Sequence, residues 1–448
     1  MQHEESWPPM KFDSRFAPLA LALAFTVCLA HAQTITTVAG TSEAGFDGDG
    51  GPATLAHLNN VSTLSLDAQG NLYISDIINI RIRKVSPSGI ITTVAGSGDI
   101  SSTVEGSALA TGFVSIYGFA AAPDGTLYIA DAEGLQKVDL QGNLSFVVTG
   151  TSIPGGVRIS RQGVFYTGGI TVISQLNSDQ SQVPVAGSEL GDSGDGGPAT
   201  QALFLLTDFT TDTVGDIYFT DNSANRVRKF TPGGNISAVA GNGTNDFSGD
   251  GGLGTLAQLS NPSGVAVDVA GNVYMTDTSN FRIRRVTRDG VIRTFAGVGF
   301  SDASSNGDGG PALQAKFVYP SSLAINCGAL YVSDDNSVRA IRLIDPLIAL
   351  RGITGPTAGA TTIRAGVNFQ ISGCNLAGAT ATADAGPMPT LSLAGTSVTL
   401  NGVPVSLVSV SPTQVVALVP VGFPSGATSV TVTLNGSGSA VTAGTVVE

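Results

Sequence analysis

Between residues 262 and 297 apolar and polar positions alternate in four short runs, each closed by a turn. Val265-Ala266-Val267-Asp268 alternates, Ala270-Gly271-Asn272 turns, and Val273-Tyr274-Met275-Thr276-Asp277 alternates again. After Thr278-Ser279-Asn280 come residues 282–286, the turn Arg288-Asp289-Gly290, and a last run at 292–297. A period of two places successive side chains on opposite faces, so each run predicts a strand and the four predict an antiparallel meander. The same grammar recurs at 64–96 and, with variations, at 119–150 and 209–241. No long segment repeats its apolar residues at helical spacing.

The fourth run is the most regular of the set. Copies occupy 35–40, 91–96, 183–187, 236–241 and 292–297, with a degenerate one at 144–150. Their closing glycines are Gly40, Gly96, Gly150, Gly187, Gly241 and Gly297. Intervals run from 54 to 56 residues, except for 37 between Gly150 and Gly187. Such a period marks supersecondary units that bury their apolar faces only against one another. Six small sheets of one kind predict an all-β, six-bladed β-propeller. The phase adds a detail: residues 34–40 form a fourth strand without its three predecessors, whereas 323–343 supply three strands without a fourth. Pairing the two closes the ring and removes two exposed sheet edges.

The run 262–286, Pro-Ser-Gly-Val-Ala-Val-Asp-Val-Ala-Gly-Asn-Val-Tyr-Met-Thr-Asp-Thr-Ser-Asn-Phe-Arg-Ile-Arg-Arg-Val, resembles an NHL repeat. The resemblance covers residues 33–346. The blade around 157–173 departs from it, having lost the Tyr-x-x-Asp and Arg-x-Arg signatures.

Targeting comes first in the chain. Lys11 and Arg15, the apolar stretch 16–30 and an Ala-x-Ala ending at Ala32 read as a secretory signal over 1–32. Met1 or Met10 is the start, and Val27 before Cys28 does not suit a lipoprotein box. The mature chain is therefore expected to be exported, whether periplasmic, at the cell surface or secreted, and without membrane insertion. Losing two basic and three acidic residues from 21 and 34 leaves 19 against 31, a net charge of −12. That acidic balance argues against nucleic acid or anionic membranes as partners. The pairs Arg81/Arg83, Arg226/Arg228 and Arg282/Arg284 do not reverse this. They recur beside a Tyr-x-x-Asp aspartate and read as Asp–Arg pairing within blades.

After residue 346 charge almost vanishes and Gly, Ala, Thr, Ser and Val dominate. Alternating runs at 367–372, 397–400, 403–410, 414–419 and 428–434 predict a small antiparallel immunoglobulin-like sandwich over 347–448. Residues 371–376, 398–402 and 408–420 resemble the IPT/TIG type of that fold, as found on exported proteins of soil acidobacteria; such modules serve as spacers or adhesive units. Cys327 and Cys374 survive the signal and form a candidate disulfide between the two domains, with two free thiols as the alternative.

Candidate chemistry concentrates in four loops: 47–52, 194–198, 249–252 and 307–311, each with a Gly-Asp-Gly-Gly core. Asp49, Asp195, Asp250 and Asp308, with nearby carbonyls, are hard oxygen ligands suited to Ca2+ at the mouth of the channel. Alternatively the glycines supply positive φ and the aspartates cap turns, repeated because the blades were duplicated. No EF-hand is present: the twelfth residue from Asp47, Asp192 or Asp246 is Leu58, Leu203 or Ala257. Relatives of the amidating-lyase type hold zinc with several histidines, but after residue 32 this chain has His57 alone. A Gly-x-Ser-x-Gly elbow is also missing, and the glutamates after residue 32, Glu43, Glu105, Glu133, Glu189 and Glu448, avoid the core strands. The aspartates Asp76, Asp131, Asp221, Asp277 and Asp334 recur once per blade, as a structural turn would require.

These features point to a monomeric, non-enzymatic binding or scaffold protein that presents inter-blade loops to a protein or glycan. A metal-assisted lyase or hydrolase at an Asp-rich channel mouth is the alternative, and a purely structural envelope protein a third. The deviant blade between Gly150 and Gly187 breaks the ring symmetry and marks a side where a specific ligand would dock.

Overall fold

A computed structural model of the chain describes residues 33–343, apart from 151–152, 300–306 and 327, together with the strands lying between 349 and 447. Among the described residues there is no α-helix, and none long and apolar enough to cross a membrane. The stretch 1–32 expected to be a signal and Cys327 lie outside the described residues, as does the side chain of Cys374 at the end of the strand Asn368–Cys374.

Six antiparallel sheets form the propeller. Blade 1 runs Val61–Leu66, Leu72–Asp76, Arg81–Val85 and Ile91–Ala95 in simple meander order. Blades 2 to 5 repeat that order, beginning at Ile116–Ala121, Val157–Ile159, Leu206–Thr211 and Val265–Val267. Blade 2 gains a fifth, two-residue strand, Gly106–Ser107, at its outer edge. The first strands of successive blades adjoin and form the inner ring, so the fourth strands lie at the rim. Each apolar core is shared between neighbours. Tyr274, Phe295 and Ile283 of blade 5, for instance, pack with Leu323, Leu330, Val332 and Ile341 of blade 6.

Ring closure follows the phase of the repeat. Blade 6 takes three strands, Pro320–Ile325, Ala329–Asp334 and Ser337–Arg342, and its fourth is Ile35–Ala39. Ile35 lies opposite Ile341, Thr36 opposite Ala340 and Thr37 opposite Arg339. Ile35 and Ala39 are fully buried.

Beyond residue 348 two small antiparallel sheets of immunoglobulin-like character follow. One orders Ala349–Thr354, Asn368–Cys374, Gln414–Leu418, Ser406–Ser411 and Ala381–Thr382; the other orders Val403–Pro404, Thr396–Leu400, Gly426–Leu434 and Ala443–Val447. Val398, Leu400, Leu407, Val410, Val415 and Ala417 are buried, as inward positions of such sheets should be.

Candidate functional site

Tyr-x-x-Asp, Arg-x-Arg and Gly-Asp-Gly-Gly turn out to be three parts of one device. In blade 1 the buried Arg83 guanidinium lies 3.3 Å from Asp76 at the end of the second strand and 2.9 Å from Asp49 in the loop. It also donates to the Asp47 carbonyl at 2.7 Å. Blade 4 repeats this with Arg228, 3.2 Å from Asp221 and 3.0 Å from Asp195. In blade 5 Arg284 lies 3.2 Å from Asp277 and 2.8 Å from Asp250. In blade 6 Arg339 lies 3.7 Å from Asp334 and 2.8 Å from Asp308. Each arginine is at most 1% exposed. A buried cation of this kind is tolerable when paired with carboxylates and hydrogen-bonded, although Nε of Arg83 and of Arg284 finds no partner among the described residues. The loop aspartate is the second anion that completes the pairing, a role distinct from the turn cap read from sequence.

The first arginine of each pair works on the surface of the same device. Arg81 stacks 3.8 Å from the centroid of Phe46 and Arg282 3.9 Å from that of Phe247. Arg226 pairs with Asp192. Blade 2 has Gln136 in place of the buried arginine, donating to Asp131 at 2.7 Å. In blade 3 Ser174 stands opposite Thr167, where blade 1 sets Arg83 opposite Ile74, so the device is absent there.

The loop glycines do what their type allows. Gly249 has φ +91°, and a Cβ there would fall 2.7 Å from the Ala257 Cα. Gly50 donates its N–H to the Ile91 carbonyl at 2.8 Å, and the Ile91 N–H reaches the Gly51 carbonyl at 3.1 Å. This places the Asp loops against the outermost strands. The expectation that they surround the channel mouth is thereby corrected: the loop must pair with the fourth strand, which is the rim of the blade.

Charge at the loops is largely spoken for. Asp250 accepts from Arg284 through one oxygen and from the Thr294 hydroxyl, at 2.7 Å, through the other. Asp308 accepts from Arg339 and, through its other oxygen, from the Thr37 N–H at 2.8 Å. Burial alone would raise these two carboxyls, but those hydrogen bonds and arginine charges hold both below the usual range. Among the described residues no three His, Cys, Asp or Glu side chains converge to hold a metal ion. His57 is bound by Asp47, whose carboxylate sits 2.7 Å from Nδ1 and raises the imidazole above its ordinary value.

The inner aspartates behave oppositely. Burial pushes the Asp277 carboxyl up to about 6, outweighing the Ser260 N–H bond and the charge of Arg284. Asp76, Asp221 and Asp334 are raised by the same cause. The folded chain therefore holds a proton on Asp277 between the ordinary 3.8 and about 6 that the unfolded chain has released. Stability falls as pH rises through that window. The melting temperature at pH 5 is expected to exceed that at pH 8 by a few degrees, and Asp277→Asn should flatten the slope in a thermal scan.

At the axis the inner strands leave a cavity of about 130 Å³, lined by hydroxyls including Ser62, Thr63, Thr207, Ser263, Ser321 and Ser322. It is crossed by an ion pair between Arg158 of the deviant blade and Asp208 of blade 4. Asp208 also accepts the N–H groups of Phe209 at 2.8 Å and of Val265, in the next blade, at 3.2 Å. Its burial displaces the carboxyl upward against the opposing charge of Arg158. Neither residue stands out from sequence periodicity alone. The available signal was columnar: Asp208 occupies the inner-strand position held elsewhere by Thr63, Gly118, Gly264 and Ser322.

Among the described residues, larger clefts lie between neighbouring blades. Those of blades 4/5 and 1/2 measure about 480 and 490 Å³ and pair a tyrosine with a lysine, Tyr218 with Lys229 and Tyr73 with Lys84. The cleft of blades 2/3 measures about 670 Å³ and carries Tyr128, Lys137, Phe146 and Phe165.

Comparison with known proteins fits this architecture. The profile of the Teneurin NHL domain matches residues 235–305. These matches support an NHL-type β-propeller. Teneurin-1 of Mus musculus is 27% identical over 259 residues, which cover 54% of this chain and 8% of that protein. Teneurin-4 of Homo sapiens is 29% identical over the same length, again 54% of this chain and 8% of the relative. The chain thus aligns with a small part of those much longer proteins. Among solved structures, a protein of unknown function from Bacteroides thetaiotaomicron superposes with TM-score 0.55 at 21% identity, covering 69% of this chain and 76% of that one. An auxiliary nutrient binding protein from the same organism gives TM-score 0.54 at 17% identity, with the same coverage. At such identities the likeness shows the fold alone.

Proposed function

We propose that the chain is an exported, non-enzymatic binding or scaffold protein, whose propeller offers its inter-blade loops and clefts to a protein or glycan. The C-terminal sheets would serve as an IPT/TIG-like spacer or second contact surface. The observation that carries this is the state of the channel. A space of about 130 Å³ crossed by the Arg158–Asp208 pair is well below the roughly 300–1,000 Å³ of a small-molecule site. The larger clefts lie between blades and combine an aromatic face with a cation. Calcium at Asp49, Asp195, Asp250 and Asp308 belongs to the alternative lyase or hydrolase role, which these loops would now have to support at the rim. The likeness to a propeller described as a nutrient binding protein is compatible with a binding role.

The test is direct. Incubated with lactones, esters and glycosides, with and without divalent cations, the full chain is expected to turn over none and to retain ligands from peptide or glycan arrays. Turnover that disappears in Asp195→Asn/Asp250→Asn would sink the proposal.

A further inference from the structure

In five of the six blades an extended segment pairs with the outer side of the fourth strand where that strand begins. Ile236 gives its carbonyl to Gly196 N–H at 2.8 Å and its N–H to the Gly197 carbonyl at 2.9 Å. Ile292 does the same with Gly251 and Gly252, at 2.8 and 2.9 Å, and Ile35 with Gly309 and Gly310, at 2.8 and 3.2 Å. Ile91 pairs with Gly50 and Gly51, and in blade 2 Leu144 pairs with Gly106. In blades 1, 4, 5 and 6 the segment then continues through a proline or leucine into a short 3-10 turn with a buried Ala or Gly, lining the wedge between two outer strands. All five anchor residues are at most 2% exposed.

Among the described residues no such segment meets blade 3. Only the short stretch from Gly150 to Val157 leads into it, too few residues to reach its rim and return. The position equivalent to Ile91 is Gln182: it pairs inward with Leu176, as Ile91 pairs with Val85. Among the described residues no backbone group meets its outward N–H or carbonyl. Beside it Val183 is 49% exposed. The wedge that the segment would line opens into the cleft of about 670 Å³, against about 490 and 480 Å³ where a segment is present at blades 1/2 and 4/5, and its wall includes Phe146, Val147, Leu176 and the edge-on pair Tyr128–Phe165, with centroids 4.6 Å apart. The next outward position along the strand is Pro184, which offers no N–H. The corresponding Thr93 N–H has no loop partner in blade 1, whereas Thr37 N–H in blade 6 meets the Asp308 carboxylate, so the proline forbids long strand addition and that aspartate contact but leaves the two-bond register at Gln182 intact.

We propose that the open wedge between blades 2 and 3 docks an extended, glycine-rich polypeptide segment of a partner protein. That segment takes the place filled elsewhere by the chain's own Gly-Asp-Gly-Gly loops. The proposal rests on the binding role above and commits it to a protein partner. Two backbone hydrogen bonds at Gln182 set the register, and a small or proline residue following the glycines enters the aromatic cleft. Because Ser174 replaces the buried arginine, the aspartate of the loop motif is not required.

The probe is a fluorescein-labelled synthetic peptide with the sequence of residues 192–203, titrated into the full chain and read by anisotropy. Saturable binding is expected with a dissociation constant on the order of 0.1 mM. A peptide N-methylated at the glycine equivalent to Gly196 should bind at least about tenfold more weakly, since one hydrogen bond and its close approach are lost. Gln182→Pro should show the same loss, with a melting temperature lowered slightly because the Thr167 hydroxyl loses its 2.8 Å bond to the Gln182 side chain; if it misfolds, the N-methylated peptide decides. No saturation at millimolar peptide, or equal binding of the N-methylated peptide, would overturn the proposal. So would peptide binding that a folded Gln182→Pro leaves unchanged, or a concentration-dependent dimer abolished by that substitution, which assigns the wedge to a second copy. None of these outcomes touches the non-enzymatic role, which fails only on catalytic turnover.

Discussion

Removing residues 33–40 is expected to cost the propeller more than about 5 kcal/mol and to turn a cooperatively melting protein into an aggregating one. The lost strand carries the ladder to Ser337–Arg342 and two fully buried residues, Ile35 and Ala39. Each ladder hydrogen bond contributes about 1 kcal/mol net and burial of the isoleucine about 2 kcal/mol. Further contacts go with it. Thr37 donates to Asp308 and Gly40 to the Ala53 carbonyl, so loops on both sides of the closure lose support. The edge then uncovered is an open row of donors and acceptors beside Val338 and Ile341, a template for pairing with another chain. Size-exclusion chromatography and a thermal scan read both effects. A circular permutant that places 33–40 after residue 343 should recover the parent's elution volume and melt. The Arg342 N–H already meets the Thr34 carbonyl at 2.9 Å, so a short turn spans the junction.

Arg284→Met is the second large effect. It leaves Asp277 buried and without its cation, and it frees Asp250 from one of its partners. Breaking a buried pair from one side costs about 3–5 kcal/mol, which for a domain of this size lowers the melting temperature on the order of 10 °C. Adding Asp277→Asn should recover part of that loss, because the stranded charge is gone while the Ser260 N–H and Asn280 bonds can persist. The exposed Arg293→Met, by contrast, should stay within about 0.5 kcal/mol of the parent. Equal melting of the three proteins in a thermal scan would refute the bracing role.

The blades were legible from sequence because a strand half-buried in a propeller announces itself by period two, and duplication repeated the message. Even the borrowed strand at 35–39 was readable, since the phase of the repeat leaves it nowhere else to pair. The pairing of Arg83, Arg228 and Arg284 with the Tyr-x-x-Asp aspartates was legible for the same reason. The second anion was not. Asp49 and Arg83 are 34 residues apart, and only the path of the loop along the rim brings them together. The channel pair was invisible for a different cause. Arg158 and Asp208 lie on different blades, and neither belongs to the repeated signature that directs attention. Symmetry shows where repeats agree, while the features peculiar to single blades lie where they differ, at Gln182, Arg158 and Asp208.

The measurement that bears most directly on the central claim is the melting temperature of residues 33–448 in EDTA and then with Ca2+, Mg2+, Mn2+ or Zn2+, beside that of Asp195→Asn/Asp250→Asn. With the loop aspartates bound to Arg228 and Arg284, each protein should melt at the same temperature under every condition, the variant slightly below the parent. A saturable rise of several degrees with one cation, lost in the variant, would make the loops metal sites and contradict the account.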